Sequence, residues 1–160
     1  MFLRRARSRC ALILFAAAAS ACSSSSDTET ASNPATETFA ASLGVNVAAM
    51  QKKADGLYYQ DIVVGTGVEA VAGRAVTVRY TGWLSDGTKF DSNVGGAPFT
   101  VTPLGTANVI AGWNLGLQGM KVGGTRRLVI GSGLGYGAAG NGPIGKNKTL
   151  VFDVVLLTVQ

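Results

Sequence analysis

The sequence predicts an α+β domain, an antiparallel sheet with one short helix covering a single face. Three observations lead there. Short apolar runs alternate through the second half of the chain and are separated by glycine-rich turns. Only residues 109–120 in that half space their large apolar side chains three and four apart, the helical period. The 160 residues include 22 glycines, about twice the usual share of ~7%, but only four prolines, with plentiful Val, Leu and Phe. Without a repeating triplet that composition excludes collagen, and it argues against global disorder.

The first nine residues carry Arg4, Arg5, Arg7 and Arg9. Residues 11–19 are an unbroken apolar run, and Ala19-Ser20-Ala21 follows. This is the layout of a secretory signal over residues 1–21, too short to span the ~30 Å hydrocarbon core as a mature helix. Cys22 comes next, followed by four serines, and the whole resembles a bacterial lipoprotein signal. Lipidation of Cys22 by two or three acyl chains, at ~0.8 kcal/mol per buried methylene, would anchor the protein stably to a membrane. Ordinary cleavage after Ala21 is the other reading, because Ala19 stands where lipoprotein signals usually carry Leu. Ser23 favours the outer membrane on its periplasmic side, with a soluble periplasmic or secreted protein as the alternative.

Residues 22–38 read as the modified cysteine and a solvated tether, since residues 23–38 lack any large apolar side chain. As a coil the tether measures roughly 20–25 Å. Residues 39–55 form a short amphipathic extension in which Phe39, Leu43, Val47 and Met50 recur on one face of a helix or helical turn. Packing onto its own domain is the expected use of that face, and a dimer or partner contact the alternative. A monomer is expected.

The domain itself covers residues 56–160. Strands are expected at residues 57–64 and 75–84, the latter with Val76, Val78, Tyr80 and Leu84 on one face. Ser85-Asp86-Gly87-Thr88 is a turn into a partner strand at residues 89–91. Residues 98–102 are a short extended piece. Within residues 109–120, Ile110, Trp113 and Leu117 share a helical face. Gly123-Gly124 ends that region, residues 125–131 are a strand, residues 132–148 a glycine-rich loop, and residues 149–159 a long apolar strand.

Charge and composition then exclude chemistry. The net charge is +5, but four arginines lie in the leader, and without it ten Lys/Arg face nine Asp/Glu for +1. No basic field remains to bind nucleic acid by counterion release. Cys10 lies inside the leader and the chain has no histidine. Downstream of residue 22 there is thus no thiol nucleophile, disulfide, imidazole metal ligand or Ser-His-Asp arrangement. No cofactor is expected.

Aromatic residues instead stand beside turns and breakers: Tyr80, Phe90, Phe99, Trp113 and Tyr136. If convergent they would make an apolar cup with a few polar handles, the usual form of a small-ligand site. On pattern alone, the core of a small domain is the other reading.

Four ordered motifs decide between them. Residues 80–91, Tyr-Thr-Gly-Trp-Leu-Ser-Asp-Gly-Thr-Lys-Phe-Asp, resemble the YTGxLxDGxxFD signature of FKBP-type peptidyl-prolyl isomerases. Pro98-Phe99 precedes Val109-Ile110-Ala111-Gly112-Trp113, similar to the family's VIxGW. Tyr136-Gly137-Ala138-Ala139-Gly140 is similar to its YGxxG loop, and Leu150-Val151-Phe152-Asp153-Val154 to its last strand. The resemblance covers residues 56–160. It implies a half-wrapped five- to six-stranded antiparallel sheet around one short helix, with a proline pocket between them. It also implies a prolyl isomerase, proline-containing unfolded polypeptides as substrates, and FK506-type macrolides as ligands.

By position the resemblance makes Tyr80, Phe90, Asp91, Trp113, Tyr136 and Phe152 the catalytic set, with Phe99, Val109 and Ile110 binding substrate. Trp113 would be the floor and Tyr80, Phe99 and Phe152 the walls. The Ile110 N–H and the Tyr136 hydroxyl would bond ligand carbonyls, and Asp91 would accept a hydrogen bond at the pocket edge. Asp91 as a general base is the less favoured role. The departure is the loop: many relatives have an Ile-Pro-Pro run where this chain has Ile144-Gly145-Lys146-Asn147-Lys148-Thr149-Leu150, and Asn141 stands near a position occupied in some by His. Losing both prolines is expected to loosen it.

The chemistry agrees with the lack of nucleophiles. Turning an X–Pro bond faces a ~18–20 kcal/mol resonance barrier but breaks no bond. A dry aromatic cup favours the twisted, less charge-separated amide over the planar one. The expected role is assisting exported or envelope proteins to fold; a non-catalytic binding module or holdase is the alternative, and a purely structural lipoprotein would need the four motifs to be coincidental.

Overall fold

The computed structural model describes residues 30–160. The leader, Cys22 and the start of the tether lie outside the described residues. Seven strands form one open antiparallel sheet: β1 Gln51–Ala54, β2 Leu57–Val63, β3 Val76–Leu84, β4 Lys89–Ser92, β5 Phe99–Val101, β6 Thr125–Ile130 and β7 Leu150–Val159. Their order is β1-β2-β6-β7-β3-β4, and β5 also pairs with β3. A single α-helix, α1 (Ala111–Gly116), lies between β5 and β6 in sequence. The architecture is the expected half-open α+β sheet, with β1 added.

The strands follow from alternation. Leu128, Ile130, Leu150, Phe152, Val76 and Val78 face α1 and, with Trp113 and Leu117, make the main core. Val129 and Val151, one residue out of phase, point to the opposite face and pack with Leu43 and Met50. Strands buried on both faces read as continuous apolar runs, which is why residues 149–159 show little alternation. Helix α1 fits because Gly112 and Gly116 stand four apart on its sheet side. A Cβ on Gly112 would come within 2.5 Å of Ile130, and one on Gly116 within 2.8 Å of Leu128.

Three expectations are corrected. The helix is shorter than residues 109–120: it ends by Gly116, and Gly119 adopts a positive φ of 84°. Residues 39–55 hold helical turns as expected, the 3-10 turns Ala41–Leu43 and Val47–Ala49 separated by Gly44 at φ 59°, but they end in strand β1, which was not expected. A residue in the left-handed region stops a helix. The apolar face nonetheless forms, and it packs on its own domain, where Leu43 and Met50 are buried and Phe39 and Val47 lie against them.

The tether is corrected over Ser32 to Glu37, which docks on the domain. The Ser32 N–H donates to Ser132 Oγ and the Ser132 N–H to Ser32 Oγ, both at 2.8 Å. Glu37 accepts from the Ser85 hydroxyl at 2.8 Å and lies 3.0 Å from the buried Thr149 hydroxyl. A segment without large apolar side chains is held here by satisfying buried polar groups instead.

Gly82 in the middle of β3 admits the pocket. A Cβ there would stand 2.6 Å from Phe90 and 2.8 Å from Phe152. Gly82→Ala is expected to force those rings apart, lowering stability by ~1–3 kcal/mol. Thermal unfolding checks it, and an unchanged Tm refutes the close approach.

Candidate active site

A cavity of about 450 Å³ opens between α1 and the concave face of the sheet, lined by Tyr80, Phe90, Asp91, Phe99, Asn108, Val109, Ile110, Trp113, Tyr136, Asn141 and Phe152. All nine residues singled out in the domain converge on it. They come from six places in the chain: β3, β4, β5, the approach and first turn of α1, the loop after residue 134, and β7. Cys22 lies outside the described residues.

Trp113 is the hub. Its ring meets Tyr80 at 4.9 Å, Phe152 at 5.3 Å and Phe99 at 6.0 Å between centroids, each close to perpendicular. Phe90 closes the far wall against Phe152 at 5.5 Å. Edge-to-face packing of this kind sets rings in fixed positions and leaves a concave surface. Phe99 is the most open member, 41% exposed, at the rim, whereas Trp113 is 4% exposed at the floor. Trp113 Nε1 is the buried side-chain nitrogen without a hydrogen-bond partner among the described residues.

The polar handles are few. The Tyr80 hydroxyl donates to Asp91 Oδ2 at 2.6 Å. Burial first, and then that bond to Asp91, push the Tyr80 phenol well above its ordinary value. Tyr80 therefore stays a hydrogen-bond donor through the neutral and mildly alkaline range. Its raised value means that the stability it contributes is present below the ordinary phenol value of about 10 and is lost as pH rises through the folded value. A tyrosine absorbance titration is expected to show one late-ionising phenol that disappears in Tyr80→Phe; a late phenol that persists in that variant refutes the assignment.

Ile110 caps α1, its carbonyl accepting from the N–H groups of Trp113 and Asn114. Its own N–H has no intramolecular acceptor among the described residues, so it is available to a bound carbonyl. The loop carrying Tyr136 closes on itself despite lacking the paired prolines. Asn141 and Ile144 exchange backbone bonds at 2.8 and 2.9 Å, Asn147 N–H donates to the Gly137 carbonyl at 2.9 Å, and Ile144 is buried in the core. The expected loosening is thus opposed by a tight turn and an apolar anchor.

Asn108 and Asn141 also line the cavity. Sequence reasoning assigned neither to the site. Asn108 carries no local signal beyond standing before Val109-Ile110, and Asn141 lies in a loop whose path periodicity does not set.

Fold and cavity together define a small α+β protein with an aromatic cup for one compact apolar ring and donors at its rim. The family model described as FKBP-type peptidyl-prolyl cis-trans isomerase matches residues 67–157. An FK506-binding protein of Neisseria meningitidis serogroup B is 52% identical over 106 residues, covering 65% of this chain and 96% of that protein. Among solved structures, FkpA from Escherichia coli is similar with a TM-score of 0.59 and 43% identity, covering 65% of this chain and 48% of that one. A peptidyl-prolyl cis-trans isomerase from Pseudomonas syringae pv. tomato gives a TM-score of 0.62 and 38% identity, covering 69% and 80%. The chain belongs to the FKBP-type peptidyl-prolyl cis-trans isomerase family and is an enzyme of that class.

Proposed function

We propose that this enzyme isomerises X–Pro bonds of exported or envelope proteins by burying the prolyl ring over Trp113 and holding the twisted amide, without covalent chemistry. The reading rests on one observation, the convergence of nine residues from six places in the chain on a single aromatic cavity. The pyrrolidine ring enters between Tyr80, Phe99 and Phe152. The Ile110 N–H holds one substrate carbonyl while the carbonyl of the residue before proline turns about the X–Pro bond. In this dry surrounding the planar, charge-separated amide loses the water that favours it, so the twisted form gains relative to it. Asp91 acts by fixing the Tyr80 hydroxyl and accepting at the pocket edge. FK506-type macrolides compete for the same cup.

The substrate location is supported by the order of residues 1–22, a basic start, an apolar run and then Cys22. Among the described residues no helix is long and apolar enough to cross a membrane. A lipid on Cys22 is the proposed attachment, facing the periplasm from the outer membrane, and the protein works as a monomer.

The test uses residues 23–160 and a peptide with one cis X–Pro bond, following the cis-to-trans rate with and without FK506. Acceleration that the macrolide abolishes supports the reading. No acceleration by a folded protein overturns it. For the anchor, fatty-acid labelling that is lost in Cys22→Ser supports attachment, and equal labelling of both forms refutes it.

A further inference from the structure

We propose that Asn93 is a positioning residue for the isomerase site: its side chain completes the ladder of β3 at Tyr80 on the edge away from β7, where neither β4 nor β5 reaches, and thereby fixes the Tyr80 hydroxyl on Asp91. The inference rests on the cavity being the isomerase site. β4 pairs with β3 from Trp83 only as far as Thr81, opposite Ser92, and β5 reaches only Val78, opposite Phe99. Residues 93–98 swing out between these two short ladders. Tyr80, whose ring is a pocket wall, therefore has its backbone facing a gap, and backbone groups left unpaired there would cost free energy.

Asn93 fills the gap. Its Oδ1 accepts from the Tyr80 N–H at 2.7 Å. Its Nδ2 donates to the carbonyls of Val78 at 3.2 Å and Ala97 at 3.3 Å. Its own N–H donates to the Tyr80 carbonyl at 3.1 Å, which also lies 3.2 Å from the Ser92 hydroxyl. Arg79 ties down the outer side of the excursion, with Nη1 donating to the carbonyls of Gly96 at 2.8 Å and Asn93 at 3.2 Å. One carboxamide thus offers an acceptor and two donors where a strand would offer a carbonyl and N–H groups. An aspartate could accept from Tyr80 but could not donate to Val78 and Ala97. A serine is too short to bridge all three.

The consequence reaches the chemistry through the Tyr80 hydroxyl. A polar group misplaced by ~1 Å can cost on the order of 100-fold in rate, and the 2.6 Å bond to Asp91 has little tolerance. The groups facing the Tyr80 hydroxyl are Asp91 and, across the cavity, Tyr136.

The test is a cycle of Asn93→Ala and Tyr80→Phe, singly and together, in the chain from residue 23. It uses prolyl-peptide kinetics and tyrosine absorbance titration. Asn93→Ala is expected to lower kcat/KM about tenfold in the parent and less than twofold in the Tyr80→Phe background. It is also expected to bring the late-ionising phenol down toward the ordinary tyrosine range. An equal loss in both backgrounds, or a phenol titration that does not move, assigns Asn93 a merely structural role and overturns the proposal. Should Asn93→Ala not fold, Asn93→Ser, which is too short to bridge Tyr80, Val78 and Ala97 and adds no charge, takes its place in the same cycle. A parent protein without isomerase activity refutes the functional reading instead, and the titration still decides the Asn93–Tyr80 link.

Discussion

Trp113→Ala is expected to lower kcat/KM on prolyl peptides by tens-fold. The prolyl ring carries three methylenes, and at ~0.8 kcal/mol each their burial is worth about 2.4 kcal/mol, a factor of about 60. Trp113 supplies the floor of that burial and also the surface against which Tyr80, Phe99 and Phe152 are set. Its loss therefore removes both a contact and the arrangement of the walls. Truncating a buried aromatic also costs ~3–5 kcal/mol of stability, so Trp113→Phe, which keeps a ring, is the companion variant. It is expected to fold and to lose less activity than Trp113→Ala. Steady-state kinetics with near-ultraviolet circular dichroism separate the two effects. A folded Trp113→Ala protein within twofold of the parent would remove Trp113 from the floor.

Asp61→Ala is expected to be the most damaging single change to stability outside the pocket. Arg126 is only 4% exposed, and Asp61 grips it bidentately at 2.7 and 3.0 Å. The same guanidinium stacks on Tyr59 at 4.3 Å and donates to the carbonyls of Gly116 and Gln118, closing the end of α1. Removing the carboxylate leaves a buried charge without its partner, worth ~3–5 kcal/mol. At the few degrees per kcal/mol usual for a domain of this size, Tm falls by roughly 10–20 °C. Because Arg126 holds the end of the helix that carries Trp113, activity should fall at temperatures where the fold still persists. Asp61→Ala combined with Arg126→Met is expected to recover most of the stability, since the uncompensated charge is gone. A Tm change below 3 °C in Asp61→Ala would show that solvent reaches Arg126 and carries its charge.

Strands β2 to β7 were legible because each is a local statement, whereas β1, exposed over most of its length, has no apolar alternation to show it. Val76, Val78 and Leu84 alternate with exposed or outer-face neighbours, Gly87 marks the β3–β4 turn, and Gly123-Gly124 marks the entry to β6. The pocket residues were legible through motifs whose members keep fixed spacing. The helix over residues 109–120 was overextended because its apolar period continues through Leu117 and Met120, while backbone stops at Gly116 and Gly119 do not alter that period. Phe39 to Met50 holds helical turns rather than a continuous helix because Gly44 interrupts it, and its apolar face forms because burial depends on side-chain direction more than on hydrogen-bond pattern. Ser32 and Glu37 were read as solvated because their partners, Ser132, Ser85 and Thr149, lie 100, 48 and 112 residues away.

The sequence alone thus determined the α+β class, the succession of β2 to β7 with the helix, and the lack of any histidine or thiol in the domain, each carried by composition or by a period of two or 3.6. The aromatic set that forms the cup was carried by the resemblance of four ordered motifs to the family. Only the tertiary structure decided that Asn108 and Asn141 line the cavity, that Asp61 neutralises Arg126 at the end of the helix, that residues 32–37 dock, and that Asn93 stands in for a missing strand beside Tyr80. Those are placements and polar contacts made across the fold. Chain closure brings them together, and no periodicity in either partner records the other.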